Sequence, residues 1–207
     1  MDLKEITNFI TSSADLLKIK KWDFGASFSN DFSVQIDKGI AKQLKASQKQ
    51  VLTLRVWNNK NLVGITTTSD LSENGLKKAL YQANLASDYG NNNELTDFSP
   101  LAKDPLTKTK EVKRSPSGIK KLLETLRTAE NDLLNKHSAI KTIPYNGLSE
   151  SFFKRIYANS EGAQRSYEKS QAAIYLYARA QENNRKPRSS GSVKIGYGLE
   201  DIDIISC

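Results

Sequence analysis

Apolar residues at Leu3, Ile6, Phe9, Ile10 and Leu17 recur every three to four positions, which places them on one side of a helix. The period then shortens towards two, and the chain reads as strands at Trp22–Ser29, Phe32–Asp37 and Ile40–Ala46. Asn30-Asp31 and Asp37-Lys38-Gly39 separate them, residue types that supply tight turns and tolerate positive φ. The clearest hairpin follows, with Val51–Trp57 and Leu62–Thr68 flanking the polar connection Asn58–Asn61. A second helix starts near Asp70, capped by Asp70 with Glu73 or by Ser72, and Leu76, Leu80, Ala83 and Ala86 form its buried stripe. Gly75 is expected to weaken it by about 1 kcal/mol relative to alanine. From Tyr89 to Arg114 no long apolar period appears, and the segment reads as a connection. Ser115-Pro116 then predicts an N-cap with proline at the first helical position. Ile119, Leu122, Leu123, Leu126, Leu133 and Leu134 keep helical spacing as far as Lys136. Strands return at Ile140–Tyr145, Glu150–Ala158, Ala163–Lys169, Gln171–Ala180 and Ser192–Tyr197, separated by Asn159–Gly162 and by a basic loop, Asn183–Gly191.

The two halves share this layout. At an offset of 123, Gly39 falls on Gly162, Lys42 on Arg165, Ser47-Gln48 on Ser170-Gln171, and Val51 on Ile174. The expected fold class is α+β, with antiparallel or mixed sheets and a duplicated helix-plus-strands unit. Residues 1–88 would form one unit, 89–114 a connecting segment, and 115–207 a second unit.

Charge sharpens this picture. Of 207 residues, 31 are Lys or Arg and 23 Asp or Glu, a net charge of +8. Residues 18–60 carry nine basic residues against Asp23, Asp31 and Asp37, and residues 154–194 carry nine against Glu161, Glu168 and Glu182. Two equal +6 stretches could bind phosphate or acidic partners, and Lys-rich solvated strand edges look the same. A duplication would explain their equality without a ligand. No apolar run approaches the ~18 residues of a membrane span, and the polar start is unlike a signal peptide. With a single cysteine, a cytoplasmic location is expected.

Catalytic chemistry is sparse. His137 is the only histidine and Cys207 the only cysteine, so no usual zinc site can be assembled from these residue types. His137 follows a predicted helix, where an imidazolium favours the C-terminus. No Gly-x-Ser-x-Gly elbow and no P-loop occur. Ser189-Ser190-Gly191-Ser192 falls in the basic loop with no base near it in sequence, and the terminal Cys207 lacks electropositive surroundings. No catalytic, cofactor-binding or metal residue is assigned. Phe152, Phe153, Lys154, Arg155 and Tyr157, then Tyr167, Tyr175 and Tyr177, interleave aromatic and basic residues, as single-stranded nucleic-acid binders do and as ordinary sheets do. The closing run with Ile202, Ile204 and Ile205 has nothing obvious in sequence to pack on, the pattern of an interrupted protein.

Leu54 to Gly64, running into Thr67-Thr68-Ser69-Asp70-Leu71-Ser72, resembles the PmbA/TldD family, named for modulation of DNA gyrase, and within it the PmbA (TldE) branch. Leu76, Ala79 and Ala83 extend the likeness, as do the turn Ala158-Asn159-Ser160-Glu161-Gly162 and the closing Gly196 to Asp201. Thr53 departs from it, since many members place glycine in this strand. The resemblance implies an N-terminal half of a protein about twice this length. In the TldD branch a His-Glu-x-x-x-His helix and a distant cysteine hold zinc and cleave peptides. The PmbA branch lacks those ligands and pairs with TldD. For this chain it implies no cofactor of its own and no peptidase activity alone. The implied partners are a TldD-like subunit or a second copy, and an unfolded peptide. The alternative is a nucleic-acid or DNA gyrase-binding module.

Overall fold

The computed structural model describes residues 2–90, 97–102, 116–204 and 206–207. Helix α1 (Leu3–Leu16) leads into β1 (Lys21–Asp37), β2 (Ile40–Trp57), β3 (Val63–Thr68) and α2 (Glu73–Ser87). Helix α3 (Gly118–Asn135) then leads into β4 (Ile140–Asn159), β5 (Gln164–Ala180) and β6 (Arg188–Gly196). Short 3-10 turns cover Pro100–Ala102 and Leu199–Asp201. The strands form one sheet in the order β3-β2-β1-β4-β5-β6, with β2–β3 and β5–β6 antiparallel. The expected α+β class is what the chain adopts.

Four strands are longer than the sequence pattern predicts. Trp22–Ser29 and Phe32–Asp37 are one strand, β1, and Ile40–Ala46 joins Val51–Trp57 in β2. Likewise β4 and β5 each absorb two predicted pieces. The strands run on through Asn30-Asp31, Gln48-Lys49-Gln50 and Ser170, because a strand partly open to water tolerates polar residues.

The chain divides into two compact units, each made of three segments. Unit 1 comprises Met1–Phe28, Lys49–Glu111 and Lys154–Glu168. Unit 2 comprises Ser29–Gln48, Val112–Phe153 and Lys169–Cys207. Ile6, Ile10, Phe24, Leu52, Leu54, Leu76, Leu80 and Ile156 centre the core of unit 1. In unit 2 the core is Val34, Ile36, Leu122, Leu126, Leu148, Ile174 and Leu176. The matched glycines occupy matched turns: Gly39 at φ +75 closes β1–β2 and Gly162 at φ +89 closes β4–β5.

Local chemistry sets the helix ends. Asp2 and Glu5 form a reciprocal capping box on α1, with bonds of 2.8 and 2.7 Å. Ser72 caps α2 by accepting the Gly75 N–H at 3.2 Å, while Asp70 instead accepts from Ser72. Gly75 is more than a weak helix residue, because a Cβ there would lie 2.4 Å from the Asp70 carbonyl oxygen. Similarly, a Cβ on Gly64 would lie 1.9 Å from the Ala83 carbonyl oxygen, so glycine lets β3 approach α2. The start of α3 differs from expectation. Pro116 lies two residues before the helix, and Ser115 falls outside the described residues. At its start the Glu150 carboxylate of β4 accepts the Ser117 N–H at 2.7 Å and the hydroxyl at 3.1 Å. A cap supplied from 33 residues away leaves no local sequence signature.

The closing apolar run also departs from its reading. Ile202 is buried, and Ile204 and Cys207 pack against the unit 2 core beside Leu199. Of the predicted connection 89–114, only residues 89–90 and 97–102 are described.

Candidate functional site

The strands of unit 1 turn their apolar residues to α1 and α2 and carry polar ones on the opposite face. Asp23 of β1, Arg55 of β2 and Tyr157 of β4 meet there. Asp23 is 2% exposed. Its carboxylate accepts both fork nitrogens of Arg55, the Nε contact being 2.8 Å, and the Tyr157 hydroxyl at 3.1 Å. Hydrogen bonding to Asp23 raises the Arg55 pKa against the opposing effect of burial. Burial raises the Tyr157 phenol above its ordinary value, opposed by the Asn159 hydrogen bond and assisted by the Asp23 charge. Asn159 extends the network, donating to the Ala102 carbonyl at 2.9 Å while its Oδ1 accepts the N–H groups of Glu161 and Ala163. This fixes the Asn159–Gly162 turn.

Residues 97–102 lie over this face. Lys21 holds Asp97 at 2.9 Å, Phe98 packs edge-on to Trp57 at 5.2 Å, and Arg165 donates to the Leu101 carbonyl at 3.0 Å. Between this segment and the sheet is an open recess of about 640 Å³. Gly25, Ala26, Val51 and Ile156 give it an apolar lining, and Arg155, Arg165, Tyr157 and Tyr167 border it. Thr53 also lines it and shares a 3.2 Å hydroxyl contact with Thr67. Ser27, Ser99 and Ser166 also line the recess.

The residues singled out in the sequence are dispersed. His137 follows α3, where its Nδ1 accepts the Ala139 N–H at 3.1 Å, a turn contact. Cys207 Sγ approaches the Ser192 carbonyl at 3.6 Å. Ser189-Ser190-Gly191-Ser192 is part of β6 and not of a loop. Among the basic and aromatic residues, Lys154 pairs with Glu168 at 3.0 Å, and Gln35 donates to the Tyr175 hydroxyl at 2.8 Å. Among the described residues no three His, Cys, Asp or Glu side chains are grouped to hold a metal, so this donor set does not fit zinc. Sequence reading missed the Asp23–Arg55 pair. Its signal was present, since each is a lone charge inside an apolar strand segment and the two have opposite sign.

The PmbA/TldA metallopeptidase central domain family matches residues 113–206. No curated protein matches the chain. Among solved structures, TldE from Thermococcus kodakarensis is similar at a TM-score of 0.74 and 15% identity, over 97% of this chain and 45% of that one. A Thermotoga maritima protein named as a modulator of a DNA gyrase gives 0.73 and 14%, over 99% and 46%. A Bacteroides thetaiotaomicron protein named likewise gives 0.73 and 12%, over 96% and 46%. The chain therefore spans less than half the length of these structures. The chain thus has the fold of these structures over nearly its whole length, and its residues 113–206 match the PmbA/TldA metallopeptidase central domain family.

Proposed function

We propose that this chain is the non-metal part of a PmbA/TldD-type peptidase system, PmbA-like, acting on unfolded peptides in the cytoplasm. The observation that carries this reading is the match of residues 113–206 to a metallopeptidase central domain. The open recess, with its apolar lining and bordering cations and phenols, supports a peptide-handling role. Cleavage is then the work of a zinc-bearing, TldD-like subunit, and this chain shapes the peptide path and the subunit contact. The nucleic-acid alternative draws on the two basic stretches, but Arg55, Lys154 and Arg185 within them are paired to Asp23, Glu168 and Glu182.

The test is a peptidase assay with a fluorogenic unfolded peptide and added zinc. The chain alone is expected to release no product, and cleavage appears only with a TldD-like subunit. Chelator-sensitive cleavage by the 207-residue chain alone overturns the reading. A gel shift at 100 mM salt that tracks lysines or arginines of 18–60 or 154–194 would instead favour nucleic acid.

A further inference from the structure

Trp57, the last residue of β2, carries a donor that its surroundings leave unused. The indole N–H is buried, and among the described residues nothing accepts from it. A donor shut away from water without a partner opposes the arrangement that buries it. Part of that arrangement is the segment 97–102, whose Phe98 is itself buried and packs edge-on to the Trp57 ring. Lys21 of β1 fills the corner between the two rings. Its Nζ lies over both, 5.1 Å from each centroid, and 2.9 Å from the Asp97 carboxylate. Asp97 in turn accepts the Phe98 N–H at 2.7 Å. Two rings and an acid thus hold one ammonium from three sides. This clasp stands partly in water, the Lys21 and Asp97 side chains being 29% and 59% exposed, so it can be released without opening the core of unit 1.

The other end of the segment is held by side chains that reach its carbonyls, Arg165 at Leu101 and Asn159 at Ala102. No ladder ties the segment to the sheet. Among the described residues its one bond between main-chain groups is internal, from the Ala102 N–H to the Ser99 carbonyl at 2.7 Å. Elements held by a few side-chain contacts open locally far more readily than a paired strand does. The middle of the segment faces the recess with an apolar side chain that the fold leaves uncovered. Leu101 lines the recess and is 84% exposed, while Ala26 and Val51 supply apolar lining from the sheet. An apolar group placed between them would be covered from both sides.

We propose that residues 97–102 are a lid over the recess, latched by the Lys21 clasp and lifted when that clasp lets go, so that an apolar side chain enters beneath Leu101. This rests on the peptide-handling reading above for the nature of the guest and adds a gate to it. The ring pair, the ammonium and the two carbonyl contacts favour the closed lid. The dry Trp57 N–H works against it, since lifting Phe98 lets water reach the donor. Opposed contributions of this kind make two positions of one segment accessible within the folded protein, and a guest that is covered only by the closed lid shifts the balance back towards closure.

Hydrogen exchange at the two indole N–H groups, resolved by heteronuclear NMR, tests the latch, with Trp22 in the unit 1 core as the reference. Lys21→Ala is expected to speed exchange at Trp57 at least tenfold and to leave Trp22 unchanged. Propylammonium chloride, which supplies the missing ammonium, should slow Trp57 again, whereas sodium chloride at the same concentration should not. Should Lys21→Ala misfold by circular dichroism, Asp97→Asn gives the same answer, since it weakens the clasp at an exposed position and keeps both rings. Anilinonaphthalenesulfonate, an apolar anionic dye, tests the lid. It should bind Lys21→Ala at least fivefold more tightly than the unchanged chain, and adding Thr53→Phe, which fills the recess, should cancel the gain. Exchange at Trp57 that is unchanged by the variant, or that rises together with Trp22, overturns the latch. Equal dye binding by the two chains, or a gain that survives Thr53→Phe, overturns the lid. Neither measurement involves cleavage, so failure here leaves the zinc-subunit assay to decide the broader reading.

Discussion

Breaking the Asp23–Arg55 pair should be strongly asymmetric. Asp23 is 3% exposed in its side chain and Arg55 42%. If Asp23→Asn removes the charge, the Arg55 guanidinium can turn to water and keep its position over the Trp57 ring, 5.2 Å from the centroid. The amide still accepts from Tyr157, so the cost is that of weakened hydrogen bonds, about 1–2 kcal/mol. If Arg55→Ala removes the cation, the carboxylate, 3% exposed in the intact fold, is left with the Tyr157 hydroxyl as its side-chain partner. Breaking a buried pair from this side costs about 3–5 kcal/mol. Urea unfolding at neutral pH measures both variants, and the double variant completes the cycle. Because Asp23→Asn removes the stranded charge, the double variant should be more stable than Arg55→Ala alone. If Arg55→Ala costs no more than Asp23→Asn, or if the two costs simply add, the pair is a surface contact and the reasoning fails.

Gly75→Ala should destabilise by about 1–3 kcal/mol in thermal melts, since crowding against Asp70 outweighs a helix-propensity gain of about 1 kcal/mol. Glu130 accepts the Gly39 N–H at 2.6 Å and Arg127 donates to the Gly39 carbonyl at 2.7 Å, so α3 grips the β1–β2 turn from both sides. Glu130→Ala is expected to speed amide exchange around Lys38–Ile40 at least tenfold by NMR while leaving α1 unchanged. In an alkaline titration followed by phenolate absorbance, Tyr157 should ionise above its ordinary value near 10. The unfolded phenol loses its proton first, so stability from this site is present below about pH 10 and falls as pH rises through the folded pKa. Tyr157→Phe should flatten that loss in unfolding experiments between pH 9 and 11.

What the sequence disclosed followed the range of the interactions. Helical stripes, the Asn58–Asn61 connection and both glycine turns were legible because each is decided by neighbours a few positions away. Asn58 shows this well, its Oδ1 accepting from Lys60 and Leu62 at 2.8 and 3.0 Å. Strand length was not legible, because polar pairs such as Asn30-Asp31 look like turns unless the partner strand is known. The start of α3 was misplaced for the same reason, its cap coming from Glu150 on a distant strand. The charge counts hold no information on pairing. They showed where basic residues lie along the chain, yet Arg55 serves Asp23 inside the fold and Lys154 serves Glu168. The exposed Tyr177, Val193 and Ile195 read as ordinary alternation, and only the register shows them to lie on adjoining strands.

The interleaved segments of the two units constrain the order of assembly. Unit 1 takes in Lys154–Glu168, which supply Ile156 and Ala158 to its core, so a nascent chain ending at residue 111 has all of α1, α2 and β3 but not a complete core. Unit 2 waits in the opposite sense, because Val34 and Ile36 are made early and must be held for Leu122 and Ile174. Neither half can finish folding as it leaves the ribosome. Such long-range closure slows folding relative to a chain of local contacts, and a cut between residues 111 and 112 would produce two fragments that each need a piece of the other.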